Sequence, residues 1–214
     1  MLNIKKFIVN PIQENCFVVS DGTRECVIID CGAVYPDEYD TISRYIREQN
    51  LTPKHLLCTH GHFDHCLGNT WVYDTYGLSP EIGKADLFLL NKMDDQVMMF
   101  FGVKSDMGSP NPSRFLKDGD TVSFGTHQLL VKSTPGHTPG GVIFYCEAEK
   151  VVFTGDTLFR MSMGRTDLEG GNWKDICDSL TKVIATLPHE TTAYCGHGPE
   201  TTIGYEVSHN PCLR

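Results

Sequence analysis

The run "THGHFDH" (Thr59–His65) sets His60, His62, Asp64 and His65 within six positions, directly after the apolar segment "KHLLC". That segment reads as a buried strand, so the cluster begins the turn beyond a strand's carboxyl end, where sheet proteins collect functional groups. His60 and His62, one residue apart, can aim at a common point from a tight turn eased by Gly61. Asp64 and His65 can aim at a second point nearby, and two adjacent metal ions fit this spacing better than one. A divalent metal needs more ligands than one turn supplies without strain. Three further candidates follow other strand-like segments: His137 after "LLVKSTPG", Asp156 after "VVFTG" and His197 after "TAYCG". Imidazole and carboxylate donors suit zinc or iron and are poor for calcium or magnesium.

The plainer readings leave this cluster standing. Lone histidines are usually structural or solvated, which is the reading for His55, His127, His189 and His209. An aspartate after a strand is usually a turn former or helix cap, yet here seven His and Asp residues all follow strands. Structural zinc favours closed, cysteine-rich tetrahedra. The nine cysteines (16, 26, 31, 58, 66, 146, 177, 195 and 212) are scattered, with no C-x-x-C pair. Most lie in apolar runs such as "ECVIID", so they read as reduced, buried small hydrophobes. An open hydrolytic site is the better expectation.

Strand-length runs recur along the chain: "KKFIVN", "NCFVVS", "CVIID", "HLLCT", "HQLLVKST", "GVIFYC", "VVFTG" and "TAYCG". Helical patterns lie between them. One opens at Pro36 with Tyr39, Ile42, Tyr45 and Ile46 on one face, and a second runs from near His65 to Gly77. A third is "KADLFLLNKMDDQVMMFFG", and a fourth follows Asn172 and buries Ile176, Leu180, Val183, Ile184 and Leu187. Strands dominate each half and a helix closes each, which predicts two packed sheets with helices outside, in a single domain over residues 1–214. The composition, 40% apolar and 21% charged, is that of a globular chain rather than a disordered one. A net charge of −9 repels phosphate backbones and argues against a nucleic-acid partner. The N-terminal "MLNIKKFIVNPIQEN" has no secretory apolar stretch, and no run approaches membrane-spanning length. The expected location is therefore cytoplasmic, with no membrane partner; the oligomeric state is left open.

"THGHFDH" resembles the T-H-x-H-x-D-H signature of the metallo-β-lactamase superfamily. "PGHTPGG" (135–141), "TGDTLF" (154–159) and "GHGPETTI" (196–203) resemble its later metal-bearing motifs, in order. "GRTDLEGG" (164–171) and the terminal "HNPCLR" resemble the short, glyoxalase II-like hydrolases of bacteria. The resemblance implies an α/β fold, the four-layer αββα sandwich. It implies a first metal on His60, His62 and His137, a second on Asp64, His65 and His197, and Asp156 bridging them. Zinc is the expected metal, with iron or manganese as alternatives. The implied reaction is hydrolysis of a small thioester, S-lactoylglutathione or similar, by a metal-bound hydroxide that Asp64 helps to orient. A mononuclear-iron persulfide dioxygenase is the alternative. It shares the "GRTD" element but usually carries Asp-Tyr where Gly198 and Pro199 follow His197. A lactonase, esterase or phosphodiesterase on the same scaffold is a further alternative.

Two segments carry paired expectations. "FRMSMGRTDLEGG" is either a glycine-rich loop with a surface Arg165–Asp167 pair, or a substrate loop. In the second case Arg165 meets a glutathione backbone and Asp167 steadies a metal-bound histidine from behind. In the 94–113 segment, Met98, Met99, Phe100 and Phe101 are expected in the core, the alternative being an adaptable apolar wall on the pocket. Larger glyoxalase II enzymes grip glutathione with a C-terminal helical domain that this chain is not expected to have.

Overall fold

Alternating side chains along the central strands divide between two buried faces, and this sorts the chain into layers. The computed structural model describes residues 1–213; Arg214, the last residue of "HNPCLR", lies outside the described residues. The first sheet contains β1 (Asn3–Val9), β2 (Glu14–Ser20), β3 (Glu25–Ile29), β4 (Thr52–Leu57), β5 (Pro80–Gly83) and β6 (Arg114–Leu116), hydrogen-bonded in that order. β1 to β3 are antiparallel and β3 to β6 are parallel. The second sheet is built from β7 (Thr121–Phe124), β8 (His127–Ser133), β9 (Val142–Cys146) and β10 (Val151–Gly155). After the hairpin of β11 (Leu158–Phe159) and β12 (Ser162–Met163), β13 (Thr192–Cys195) and β14 (Thr201–Thr202) complete it in the order β14-β13-β10-β9-β8-β7. β10 and β13 are its one parallel pair.

In β2, Phe17 and Val19 enter a core shared with Val131, Phe144 and Phe153 of the second sheet. Their neighbours Cys16 and Val18 turn the other way, onto Ile42 and Ile46 of α1 (Pro36–Glu48). β9 divides likewise: Phe144 faces the first sheet, while Ile143 and Tyr145 face Ile176 and Leu180 of α6 (Trp173–Lys182). The result is the expected αββα order of layers. Burying each large side chain here contributes roughly 1.5–3 kcal/mol, and truncating Phe144 to alanine would cost about 3–5 kcal/mol. The Asn172 side chain caps α6 by accepting from the Asp175 amide at 3.1 Å, as the sequence predicts.

The helix expected from His65 to Gly77 is instead two: α2 (Phe63–Cys66) and α3 (Asn69–Tyr76). Gly68 separates them because its amide donates to the Cys31 carbonyl at 2.8 Å, and a Cβ there would lie 2.6 Å from Cys31 Sγ. The 84–102 helix is likewise divided, into a short 3-10 turn, α4 (Leu87–Asn91) and α5 (Met93–Phe101). A further helix, α7 (Ile203–His209), was not anticipated, nor were β5, β6, β7, β11, β12 and β14 as strands.

The core placement expected for the Met/Phe run is overturned. Met93 and Val97 are the buried side chains of α5, whereas Met98, Phe100 and Phe101 are exposed and Met99 is 76% exposed. The cysteines of the described residues are all free, seven of them buried and Cys177 and Cys212 partly so. Among the described residues, no helix is long and apolar enough to cross a membrane.

Candidate metal centre

Two parallel strand pairs bring the site together. β3 and β4 pair with Ile29 opposite Leu57, so Asp30 follows beside the Cys58–His62 turn. β10 and β13 pair with Gly155 opposite Cys195, which sets Asp156 beside the loop that carries His197. Gly155 takes a left-handed φ of 47°, and a Cβ there would meet Thr59 Oγ1 at 2.2 Å, so the strand end closes on the histidine turn only as glycine. His62 precedes α2, and Asp64 and His65 lie within it.

All seven candidates converge. His62 Nδ1 lies 2.9 Å from His137 Nε2, and the His60 ring centroid is 4.8 Å from that of His137. On the other side His65 Nε2 is 3.7 Å from Asp64 Oδ2, and His197 Nε2 is 3.2 Å from the same oxygen. Asp156 lies between the groups: Oδ1 is 3.3 Å from His65 Nε2, and Oδ2 is 3.5 Å from His137 Nε2.

The outer nitrogens fix the tautomers. His65 Nδ1 donates to Asp30 Oδ2 at 3.0 Å, and His137 Nδ1 donates to the Arg165 carbonyl at 2.7 Å. His197 Nδ1 faces the Gln13 carbonyl at 3.3 Å. The Thr59 hydroxyl donates to Asp30 Oδ2 at 2.7 Å, so at 3.0 Å it accepts from His60 Nδ1. Four Nε2 lone pairs are therefore left free, and those of His65, His137 and His197 face the carboxylates of Asp64 and Asp156. His60 Nε2, His65 Nε2 and Asp156 Oδ1 are buried with no hydrogen-bond partner. Lone pairs facing one another in a dry site repel unless a cation lies among them. His60, His62 and His137 offer one set of donor atoms within 4.8 Å of one another, and Asp64, His65 and His197 offer another. The donor set thus fits a pair of divalent cations. Asp30, His60 and His65 form a third such set, but the Asp30 oxygens are already occupied by Thr59 and His65.

Burial holds His60 well below its ordinary pKa, and burial with the neighbouring His137 takes His62 down to about 3, leaving both in the neutral, ligating form. Burial also works to lower His65, but the charges of Asp156 and Asp64 override it and raise its pKa. For Asp64, burial acts upward; the His65 charge and the His197 hydrogen bond outweigh it and hold the carboxyl below its usual range.

Arg165 and Asp167 do not join the cluster. Their side chains form a bidentate pair at 2.6 and 2.7 Å on the surface. The group that steadies His137 is the Arg165 carbonyl, not the Asp167 carboxylate, because that carboxylate is taken by the guanidinium. Two supporting residues went unread in the sequence. Asp30 is one, although "CVIID" ends a strand in an aspartate just as "VVFTG" leads into Asp156. The other is Asp86, buried between α4 and the two histidine loops. It accepts from Gly61 N at 2.9 Å, Thr138 Oγ1 at 2.7 Å and Gly140 N at 2.5 Å. Beside His62 a cavity of about 180 Å³ opens, walled by Leu89, Met99, Phe100 and Leu168.

Comparison with known proteins gives a consistent picture. The family model described as the metallo-beta-lactamase superfamily matches residues 9–197. The Haemophilus influenzae protein named hydroxyacylglutathione hydrolase GloC is 33% identical, covering 99% of this chain and 98% of its own. Among solved structures, the BLEG-1 B3 metallo-beta-lactamase superposes with a TM-score of 0.88 at 33% identity, covering 100% of this chain and 99% of that one. TTHA1623, solved in a di-iron-bound form, gives 0.86 at 35% identity, covering 97% and 98%.

Proposed function

Because the chain belongs to the metallo-β-lactamase superfamily and is a metal-dependent hydrolase, we propose that its reaction is hydrolysis of a small thioester, S-lactoylglutathione or a similar compound. The observation that carries the metal assignment is the set of four imidazoles whose outer nitrogens are committed to fixed acceptors, while the inner nitrogens of His65, His137 and His197 meet Asp64 and Asp156 and that of His60 is buried without a partner. His60, His62 and His137 would hold one divalent ion, and Asp64, His65 and His197 the other, with one oxygen of Asp156 for each. Nitrogen and oxygen donors of this kind suit zinc; iron and manganese are compatible, and metal supply decides among them. The di-iron form of TTHA1623 supports a paired site.

When bound, the ions supply Lewis acidity for a substrate carbonyl and a water of lowered pKa. The chain's own part is to hold and orient. Asp30 and the Arg165 carbonyl lock His65 and His137 in the tautomer that presents Nε2. Asp64, beside His197, would also orient the attacking water. A thiol with pKa near 8.5 departs as thiolate without a strong acid, which agrees with a site built from ligands and lacking a dedicated proton donor. The thioester assignment is supported by the kinship with a hydroxyacylglutathione hydrolase along nearly the whole chain.

The test is metal content measured beside a panel of thioesters, a lactone and a phosphodiester. Two metal ions per chain with thioester turnover are expected. One iron per chain with persulfide-dependent oxygen uptake would instead identify a dioxygenase, and turnover of the lactone or phosphodiester alone would move the substrate class.

A further inference from the structure

Beside the candidate metal centre, the cavity at His62 has a wall and a rim of different chemistry. Its wall is apolar: Leu89 from α4, Met99 and Phe100 from α5, and Leu168 from the 164–171 loop. Its volume, about 180 Å³, is on the scale of the roughly 150 Å³ engineered cavity that takes up benzene, and falls below the ~300 Å³ at which pockets for larger ligands begin. It takes up a short aliphatic or aromatic arm, and a tripeptide would extend beyond it.

The rim carries cations, but each is spoken for. Lys92 Nζ lies 2.7 and 2.9 Å from the two carboxylate oxygens of Glu169, joining the α4–α5 junction to the opposite loop. Asp167, which also lines the rim, holds Arg165 next to it through two bonds of 2.6 and 2.7 Å. Asp95 also lines the pocket, and among the described residues it has no cation partner. Among the described residues that line the cavity, Lys92 is therefore the one cation, set against the carboxylates of Asp95, Asp167 and Glu169, and the rim is negative overall. An incoming carboxylate must break an ion pair and enter against that charge, whereas an uncharged arm does neither.

We infer that this cavity is the specificity subsite of the enzyme, and that it selects thioesters with a short, apolar, uncharged arm over those carrying carboxylates, glutathione conjugates included. The inference rests on the thioester-hydrolase reading for the position of the reacting carbonyl, and it moves the preferred substrate away from S-lactoylglutathione. Glu169 and Asp167 act here as discriminating residues: they occupy Lys92 at the rim and Arg165 next to it, the cations that an anionic substrate would need.

Binding to the metal-loaded protein tests this without relying on turnover. Two non-hydrolysable thioethers serve as probes in calorimetric titrations: S-hexyl-N-acetylcysteamine, which is neutral, and S-hexylglutathione, which is anionic. The neutral probe is expected to bind at least about tenfold more tightly. Asp167→Asn combined with Glu169→Gln, which releases both cations, should narrow that ratio by roughly three- to tenfold. Met99→Asp should weaken the neutral probe by about tenfold or more, because it puts a charge in the wall. Equal or tighter binding of S-hexylglutathione by the wild type, or a ratio unmoved in the double variant, overturns the proposal. Hydrolysis is scored separately. A protein that shows the binding preference but cleaves no thioester keeps the subsite and loses the reaction. One that cleaves thioesters and prefers the glutathione probe keeps the reaction and loses the subsite.

Discussion

Asp30 Oδ2 receives two donors at once, His65 Nδ1 at 3.0 Å and the Thr59 hydroxyl at 2.7 Å, while Oδ1 takes the Thr59 amide at 2.7 Å. One buried carboxylate thus fixes the tautomer of His65 directly and that of His60 through Thr59. Asp30→Asn keeps the shape and one acceptor but turns an amide N–H toward His65 Nδ1. The imidazole must then carry its proton on Nε2, where a metal is to bind. Metal affinity is expected to fall about 10–100-fold, read by competition with a chromophoric chelator. An unaltered affinity in a folded variant would show that the Asp30 contact has no part in ligand orientation.

Asp86 performs a different task, tying the Gly61 turn to the 138–140 loop through three donors. Asp86→Ala leaves those donors without a partner in a dry site, at a cost of roughly 1–3 kcal/mol for each group that water cannot reach. A loss of about 3 kcal/mol in urea unfolding is expected. Because the tie joins the loops bearing His62 and His137, the first metal should be lost more readily than the second, so the variant should retain closer to one ion than two. Wild-type stability together with full metal content would dismiss this role.

How much of this was legible beforehand depended on how far each feature reaches along the chain. The seven converging residues carried a local signal, a His or Asp just past an apolar β-branched run, and the sheet pairing that unites them follows from the runs themselves. Asp30 carried the same signal but stood alone, with no histidine beside it. Asp86 had no signal at all: its donor Thr138 lies 52 residues away, and nothing in "GKADLFLL" reveals that a loop will settle there. Periodicity marked α5 as helical but could not say what would cover it. Met93 and Val97, one turn apart, are buried among Phe63 and Cys66 of α2, Ile82 of β5 and Leu90 of α4, while Phe100 and Phe101 touch only the edge of that cluster through Phe63 and Met99 is left largely exposed. The turn at Gly68 was hidden for the same reason, since the crowding by Cys31 exists only in the folded chain.

His55 offers a prediction about pH. Its Nδ1 meets Glu81 at 2.5 Å, and that hydrogen bond raises the imidazole pKa against the opposing effect of burial. A histidine raised on folding stabilises fully below its unfolded pKa of about 6.5, and the contribution disappears as pH rises through the folded value. The Tm gap between the wild type and His55→Gln should therefore be largest near pH 6 and shrink toward pH 9. Its maximum should correspond to about 1 kcal/mol, or roughly 2–4 °C for a chain of this length. A gap that stays constant across that range would assign the effect to packing instead.

Asp156 is where the two halves of the site depend on one side chain, since its oxygens face His65 on one side and His137 on the other. If both ions bind the folded chain and not the unfolded one, free metal at about thirty times Kd adds ~2 kcal/mol for each ion, or about 4 kcal/mol for the pair, equivalent to roughly 8–16 °C in Tm at this size. Chelation should therefore lower the wild-type Tm by about 10 °C, and readdition of zinc should restore it. In Asp156→Ala each ion loses a ligand, so the chelator-sensitive part of Tm should fall to a few degrees or less, and turnover should fall with it. The comparison separates a ligand from a mere structural residue. Loss of a structural carboxylate lowers the Tm of the stripped protein but leaves the chelator response intact, whereas loss of a shared ligand removes the response itself. An Asp156→Ala protein whose Tm still falls about 10 °C on chelation would mean that the carboxylate does not join the two sites.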